Sequence, residues 1–370
     1  IANEGTFTYN STSAQTLSGV ISGTGDLVKN AASTLTLSAT NTLNGTVTIN
    51  GGTLSLAAAS NAIGSGASIV INSGATLDYS TSSQIHDDVA SITINSGTWN
   101  MTGNINELAN CTVTMTDATI SGGDNGSSFL LVRGGYVGSG NNTISRTMDV
   151  RNTDANSGNF TINSGTTTVS GTIKSTGTVI KNGAGTLLLT GNSTNSGSIT
   201  INAGTLEIGA AGRLQGGTHA SNITNNGTFI HSGTSAQTLS GVISGTGNLT
   251  QNGTGTLTLT GANTYSGGTT LNAGTLVIGN SAAAGTGTIT QADGTSLLKF
   301  ETTGTVQSGL HVYNVGTTQT ITIGGNITAY NTTWDVADGT TTSLNGTISG
   351  SGGITKDGNG TLAVNGANNT

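Results

Sequence analysis

Hydrophobic and polar residues alternate along many short segments of this chain. In TLTLT (256–260), Leu257 and Leu259 alternate with three threonines. Successive side chains of a β-strand point to opposite faces, so this pattern predicts short strands with an aliphatic inner face and a threonine-rich outer face. The same pattern recurs in ITIN (92–95), FTIN (160–163), ITIN (199–202) and ITIG (321–324). The chain is therefore predicted to be all-β.

Polar turn residues separate these strands at a nearly constant interval. Sixteen Asn or Asp markers from Asn30 to Asp357 span 327 residues in 15 intervals, a mean step near 22. This step fits one coil of a right-handed parallel β-helix, a β-solenoid whose coils stack about 4.8 Å apart. The 370 residues then predict roughly 17 coils. An antiparallel sandwich would have more varied loops, and propeller blades of about 40–45 residues carry aromatic signatures that are missing here.

The corners of the coils have a composition of their own. Glycine suits corners that need a positive φ, and asparagine tolerates the same backbone region. Asparagines at equivalent corners are expected to hydrogen-bond to each other up and down the stack. The chain has 60 Gly and no Pro, as expected where the amide of nearly every coil pairs with a neighbouring coil.

A long repeat overlies the short one. Residues 5–56 and 227–278 align without a gap at an offset of 222, and SAQTLSGVISGTG is identical in both. Partial copies occupy 171–208, most closely over 177–208, and 346–370. We expect residues 1–370 to form a single continuous β-helix, with divergent coils over 80–156. The interrupted last copy and the absence of an initiator Met predict a segment of a longer, processed polypeptide.

The copy at 247–279 closely resembles the autotransporter-associated β-strand repeat, also called the passenger-associated transport repeat. The residues that carry the resemblance are Gly253, Gly255, Thr256, Leu257, Leu259, Gly261, Asn263, Tyr265, Gly267, Thr269, Leu271, Gly274, Thr275 and Leu276. The resemblance implies a right-handed parallel β-helix from the passenger region of a bacterial autotransporter. It also implies an extracellular or outer-cell-surface location and a role in export, and it does not itself imply catalysis.

Charge and cysteine content exclude several functions. The net charge is −7, and the nine basic residues are scattered, so we expect no nucleic-acid partner. We also expect no membrane insertion by this segment, because it has no apolar run of 18 residues. The single Cys111 is expected to be a small buried residue. No cofactor is expected.

A localised binding function is expected where the repeat is interrupted, over residues 80–156. The candidate binding residues there are Trp99, Tyr136, Asp87, Asp88 and Glu107. The candidate partners are glycans or host and cell-surface components. His86 beside Asp87 and Asp88 could be a metal ligand, although an exposed turn histidine explains it equally well, and no metal site is predicted.

Two other functions remain as alternatives. Sugar cleavage needs two carboxylates about 5–10 Å apart, and Asp87, Glu107 and Asp117 would have to stack on one face to supply them. We therefore predict no catalytic residues. Ice binding would need the outward Thr-x-Thr pairs to fall on one face in consecutive coils, whereas threonine is also a common solvent-facing strand residue.

The preferred interpretation is a secreted or surface structural segment that acts as a stalk, an adhesin or an extracellular fibre. Self-association end to end or side by side is a variant of it.

Overall fold

The computed structural model is a parallel β-solenoid, and its described residues contain no α-helix. This confirms the predicted fold class. The described residues are 1–79, 83–102, 106–108, 111–122, 130–149, 158–174, 176–280, 282–291, 296–300, 311–314, 321–323, 327–328, 332–336, 338, 341–344, 348–349 and 354–365.

The chain divides into two compact units, Ile1–Gly197 and Ser198–Thr370. Each unit is a stack of coils in its own right. The single continuous β-helix over residues 1–370 stays a prediction.

The first unit has three faces, and the first two are each built from one strand per coil. Strands of the first face are Thr6–Tyr9, Asp26–Lys29, Thr46–Ile49, Ser68–Ile71, Ser91–Asn95, Thr112–Thr116, Tyr136–Ser139, Asn159–Ile162 and Val179–Asn182. Strands of the second face are Gln15–Leu17, Thr34–Leu37, Thr53–Leu56, Thr76–Tyr79, Thr98–Met101, Thr119–Ser121, Asn142–Ile144, Thr166–Val169 and Thr186–Leu189. The third face has shorter strands, at Ser22–Gly23, Thr42–Leu43, Asn106–Leu108, Leu130–Val132, Met148–Asp149, Ile173–Lys174 and Asn192–Ser193.

The second unit follows the same plan, with its faces named in chain order. Its first face contains Ile199–Ile201, Ile223–Asn225 and Ile243–Ser244. Its second face contains Thr205–Ile208, Thr228–His231, Asn248–Gln251, Thr269–Leu271, Ile289–Gln291, His311–Asn314, Thr332–Val336 and Ile354–Asp357. Its third face contains Thr218–His219, Gln237–Leu239, Thr256–Leu259, Thr275–Ile278, Leu297–Phe300 and Ile321–Ile323. The remaining strands are Arg213–Leu214, Ile327–Thr328, Thr341–Leu344, Ile348–Ser349 and Thr361–Val364, and Gln215–Gly217 is a 3-10 turn.

Counted on the first face, the two units have twelve strands, which gives about 12 turns of about 21 residues each, against the predicted 17 turns of 22. The shorter step reflects tight corners: Thr34 pairs with Thr53, only 19 residues further on. The count is lower although the step is shorter, because only separate short segments are described beyond residue 291. The fold class does not depend on the number of turns.

The core consists of aliphatic columns that run from coil to coil. Val47, Ile69, Ile92 and Val113 pair in register on the first face of the first unit. All four are at most 1% exposed, and burial of such a side chain stabilises the fold by about 1.5–3 kcal/mol. In the second unit, Leu257 and Leu259 are buried as the alternation predicted, and the threonines between them are partly exposed.

Asparagines form the predicted ladder on the outside of the first unit. The Nδ2 atom of Asn30 donates to Oδ1 of Asn10 at 2.9 Å, and Asn50 donates in the same way to Asn30 at 2.7 Å. Asn72 donates to Asn50 at 2.7 Å, and Asn95 donates to Asn72 at 3.1 Å. The carboxamides of Asn30, Asn50 and Asn72 are thus each both donor and acceptor, so identical side chains at one corner hold five successive coils together.

Glycine fills the corner that precedes the last strand of each repeat copy. Gly52, Gly204 and Gly274 occupy equivalent places and have φ values of 61°, 66° and 65°. A Cβ atom at Gly274 would lie 2.3 Å from the carbonyl oxygen of Gly253. Both the positive φ and the close stacking of coils therefore require glycine at this corner.

Equivalent strands of two repeat copies lie on different faces of the second unit. Ile199–Ile201 and Thr269–Leu271 are 70 residues apart at the same place in the repeat, yet the former is on the first face and the latter on the second. Seventy residues are three and a third coils of 21, and the chain between the two makes an extra corner at the 3-10 turn Gln215–Gly217. The repeat therefore fixes which residues point inward and leaves the choice of face open.

Candidate functional site

The two aromatic residues proposed for ligand contact lie in the core. Trp99 is 0% exposed and Tyr136 is 6% exposed. The Tyr136 ring stacks on Phe160 with the ring centroids 5.4 Å apart, and burial raises the pKa of its hydroxyl well above the ordinary value. Neither ring is accessible to a glycan in this structure, so a binding hypothesis for this region has to depend on other residues.

The acidic turn residues lie at the surface, as the sequence indicated for a solvated turn. Asp87 and Asp88 are exposed, and His86 is partly exposed. The Nδ1 atom of His86 accepts a hydrogen bond from the backbone amide of Asp88 at 3.1 Å and lies 3.9 Å from Oδ2 of the same residue. These contacts order the turn. Because Nδ1 is an acceptor here, the proton of the neutral imidazole is on Nε2.

The three carboxylates considered for sugar cleavage lie at different places around the coil. Asp87 is in the turn before the first-face strand Ser91–Asn95. Glu107 is in a third-face strand, and its side chain lies outside the described residues. Asp117 is at the corner between the first and second faces, where its Oδ1 accepts from the amide of Asn141 at 2.8 Å. They do not stack on one face, so the paired-acid hypothesis loses its geometric condition.

Cys111 is a buried core residue, as expected from the sequence. It is 0% exposed, and burial raises the pKa of its thiol to about 12. The thiol is therefore protonated and unreactive at neutral pH. Among the described residues, no group of three or more His, Cys, Asp and Glu side chains is arranged to hold a metal ion. No helix in the described part of the chain is long and apolar enough to cross a membrane.

Outward threonines form one long column on the second face of the first unit. They are in register over seven successive coils, at Thr34, Thr53, Thr76, Thr98, Thr119, Thr143 and Thr168. The column two residues further along each strand is mixed, because Asp78 and Asn100 interrupt it and are hydrogen-bonded to each other at 2.6 Å. The second face therefore lacks the two-column Thr-x-Thr array that ice binding would need.

A set of long polar side chains points into the solenoid and is not among the residues predicted from the sequence. Lys29, Lys181 and Gln251 occupy one position of the repeat, and all three are 0% exposed. Nζ of Lys29 donates to the carbonyl oxygen of Ala31 at 2.6 Å, and Nζ of Lys181 donates to that of Gly183 at 2.8 Å. The alternation could have revealed them, since Lys29 follows the inward Leu27 by two residues.

Gln251 makes the same contact in a third repeat copy. Its Nε2 donates to the carbonyl oxygens of Gly253 at 2.9 Å and Gly255 at 2.8 Å, and its Oε1 is 2.7 Å from Nδ1 of His231. The exposed Lys356 of the last copy also donates to a carbonyl two residues on, that of Gly358, at 2.6 Å. This position therefore ties down the turn that follows its strand, whichever donor the copy supplies.

The stacked coils, internal ladders and turn-capping side chains define a repeat-built β-solenoid. A family model described as Passenger-associated-transport-repeat matches residues 27–56, 179–208 and 249–278. The chain thus carries three passenger-associated transport repeats, which is consistent with an autotransporter passenger and implies a secreted or surface-exposed protein. A comparison with curated proteins gives no match, and a comparison with solved structures gives none either.

Proposed function

We propose that this chain is a non-enzymatic stalk segment of an autotransporter-like surface protein. The observation that carries the proposal is that the positions shared by the three matched repeats serve coil stacking. Gly52, Gly204 and Gly274 form one tight corner, and the polar residues at the position of Lys29 cap one turn. A chain whose repeated residues all serve coil stacking transmits force from one coil to the next through backbone hydrogen bonds.

The outer surface supports the same proposal. Its ladders are uncharged asparagine and threonine side chains, and the asparagines hydrogen-bond to each other, as Asn50 does to Asn30. Such a surface leaves few unpaired strand edges along the coils and few charges for other molecules to attract. Fibre formation by self-association and adhesion to a cell surface are variants of this function. Fibre formation predicts long particles, and adhesion predicts binding to a cell surface.

Export and particle shape test the proposal together. The chain would be inserted between a signal peptide and an outer-membrane translocator and expressed in a Gram-negative host. We expect it to be degraded by protease added to intact cells only after mild unfolding, and purified material to be single short rods in electron micrographs. Retention inside the cell or compact round particles would contradict a surface stalk, and long fibres would favour the polymeric variant.

The proposal that the chain is not an enzyme is tested separately. Purified protein would be incubated with a panel of neutral and acidic polysaccharides, with Asp87→Asn and Glu107→Gln as comparison variants. We expect no change in chain length of any polysaccharide. Cleavage by the unaltered protein that either variant abolishes would establish an enzyme.

A further inference from the structure

A polar groove crosses three successive coils on the third face of the first unit. Its volume is about 440 Å³, within the range of small-molecule sites. Its lining comes from one coil at Thr40, Asn41, Thr42 and Asn44, from the next at Asn61 and Ser65, and from the third at His86. The strands of this face are short here, so turn side chains form the walls of the groove.

Backbone hydrogen bonds fix the three coils beneath the groove. The amide of Asn41 donates to the carbonyl oxygen of Asn61 at 2.9 Å, and the amide of Asn61 donates to that of Ser83 at 2.8 Å. The amide of His86 donates to the carbonyl oxygen of Ile63 at 3.2 Å. The carboxamide of Asn41 is buried and occupied on both sides, by the amide of Ile21 and the carbonyl of Ala62. The groove is therefore preformed.

Several polar side chains of the lining have hydrogen-bonding groups that are available to a ligand. Within the described residues, the hydroxyls of Thr42 and Ser65 and the carboxamides of Asn44 and Asn61 make no hydrogen bond. The Nε2–H of His86 adds a donor, because Nδ1 is occupied by the amide of Asp88. Hydroxyls and carboxamides both donate and accept, and Asp87 and Asp88 are not part of the lining.

These observations point to a neutral saccharide unit as the ligand: we infer that the groove lined by Thr40, Asn41, Thr42, Asn44, Asn61, Ser65 and His86 is a sugar-binding site. A sugar presents adjacent hydroxyls that donate and accept, as this lining does. An anion such as phosphate would find no Lys or Arg in the lining, and an apolar ligand would find no large aliphatic side chain. A stalk needs no such site, so this inference goes beyond the proposed function.

The second copy of the repeat lacks part of this lining. Thr40 and Asn44 correspond to Ala262 and Ser266 at the offset of 222, whereas Thr42 corresponds to Thr264. The groove is thus a feature of one copy, where the following coils supply Asn61 and His86. These natural replacements also provide substitutions that the fold accepts.

Binding would be measured on the full chain with defined probes. Glucose, galactose and N-acetylglucosamine would be titrated by ligand-observed NMR, with N-acetylneuraminic acid as the acidic comparison, and a glycan array would test the same units within oligosaccharides. We expect binding of at least one neutral sugar. An array signal without binding of the free sugar would show that the site takes the unit only within a glycan.

Three substitutions test the location. Asn61→Gly removes the carboxamide and keeps the left-handed backbone, since Asn61 has φ 48°. Combined with Thr40→Ala and Asn44→Ser, it should weaken binding at least about tenfold with an unchanged melting temperature. Asn272→Ala, on the exposed surface of the second unit, is the control and should bind normally.

The inference would be overturned by absence of neutral-sugar binding, by preference for the acidic sugar, or by unchanged binding of the triple variant. The export test of the stalk would be unaffected by any of these results.

Discussion

The side chain of Asn263 accepts a hydrogen bond from the backbone amide of Ile243, one coil earlier, at 2.7 Å. Its Nδ2 atom donates to the carbonyl oxygen of Ala283 in the next coil at 2.6 Å. One buried carboxamide thus links three coils, although Asn263 itself lies in no strand. Asn41 has the same role in the first unit, with Ile21 and Ala62 as its partners.

Asn263→Ala is expected to destabilise the second unit strongly. The substitution leaves a buried amide and a buried carbonyl without hydrogen-bond partners, and each unsatisfied group lowers the free energy of unfolding by about 1–3 kcal/mol. Urea unfolding followed by circular dichroism measures the loss. Asn272→Ala is the matched control, because the side chain of Asn272 donates only to the exposed Asn252. We expect it to change the free energy of unfolding by less than about 0.5 kcal/mol. Equal effects of the two substitutions would contradict the bridging role of Asn263.

Lys181→Gln is expected to be tolerated, whereas Lys181→Met is not. Gln251 shows that a glutamine at this position reaches the turn carbonyls. Methionine fills the same space and leaves the carbonyls of Asn182 and Gly183 without this donor. Thermal melting of the two variants should separate them by on the order of 1–3 kcal/mol. If methionine is as stable as glutamine, the contact contributes nothing to stability.

Glycine corners allow backbone strain to be separated from steric clash. At Gly74, φ is 73° and an added Cβ atom would have no neighbour within 4 Å, so Gly74→Ala should cost only the strain of about 1–2 kcal/mol. At Gly274, with φ 65°, the Cβ atom would also meet the Gly253 carbonyl oxygen at 2.3 Å. Gly274→Ala should therefore cost clearly more in urea titration. Similar losses at both sites would show that the coils separate freely to admit a methyl group.

The second unit is expected to lose stability in acid because of His219. This residue is 1% exposed, and within the described residues neither ring nitrogen has a hydrogen-bond partner. Burial lowers the pKa of His219 to about 4, below its ordinary value of 6.5. The unfolded chain therefore binds the proton first, so stability is complete above pH 6.5 and falls as the pH drops towards 4, by on the order of 3 kcal/mol.

His219→Leu tests this expectation. The strand partner of His219 is the buried Leu239, so leucine would extend an existing aliphatic column. Urea midpoints between about pH 7 and pH 4 should fall less in this variant than in the unaltered protein, and the variant should be more stable at neutral pH. A remaining slope is expected from His231, whose pKa burial also lowers. An identical pH profile in the variant would contradict the role of His219.

Much of the fold could be predicted from the sequence because alternation and corner chemistry act locally. The inward Leu257 and Leu259 and the asparagine ladder through Asn50 follow from strand geometry and from the hydrogen bonding of carboxamides. The candidate site was harder to predict. Trp99 is a candidate binding residue in the sequence because it lies where the repeat is interrupted, but it occupies an inward position of the strand Thr98–Met101.

The sequence by itself determined which residues point inward, where the corners fall and how long a coil is, because these depend on neighbours within a few residues. Only the tertiary structure decided on which face a strand lies. Ile199–Ile201 and Thr269–Leu271 share one place in the repeat and lie on different faces, since one extra corner at Gln215–Gly217 shifts all that follows. It also decided that Asn44, Asn61 and His86 share a groove, because stacking brings residues about 20 apart in the chain into contact.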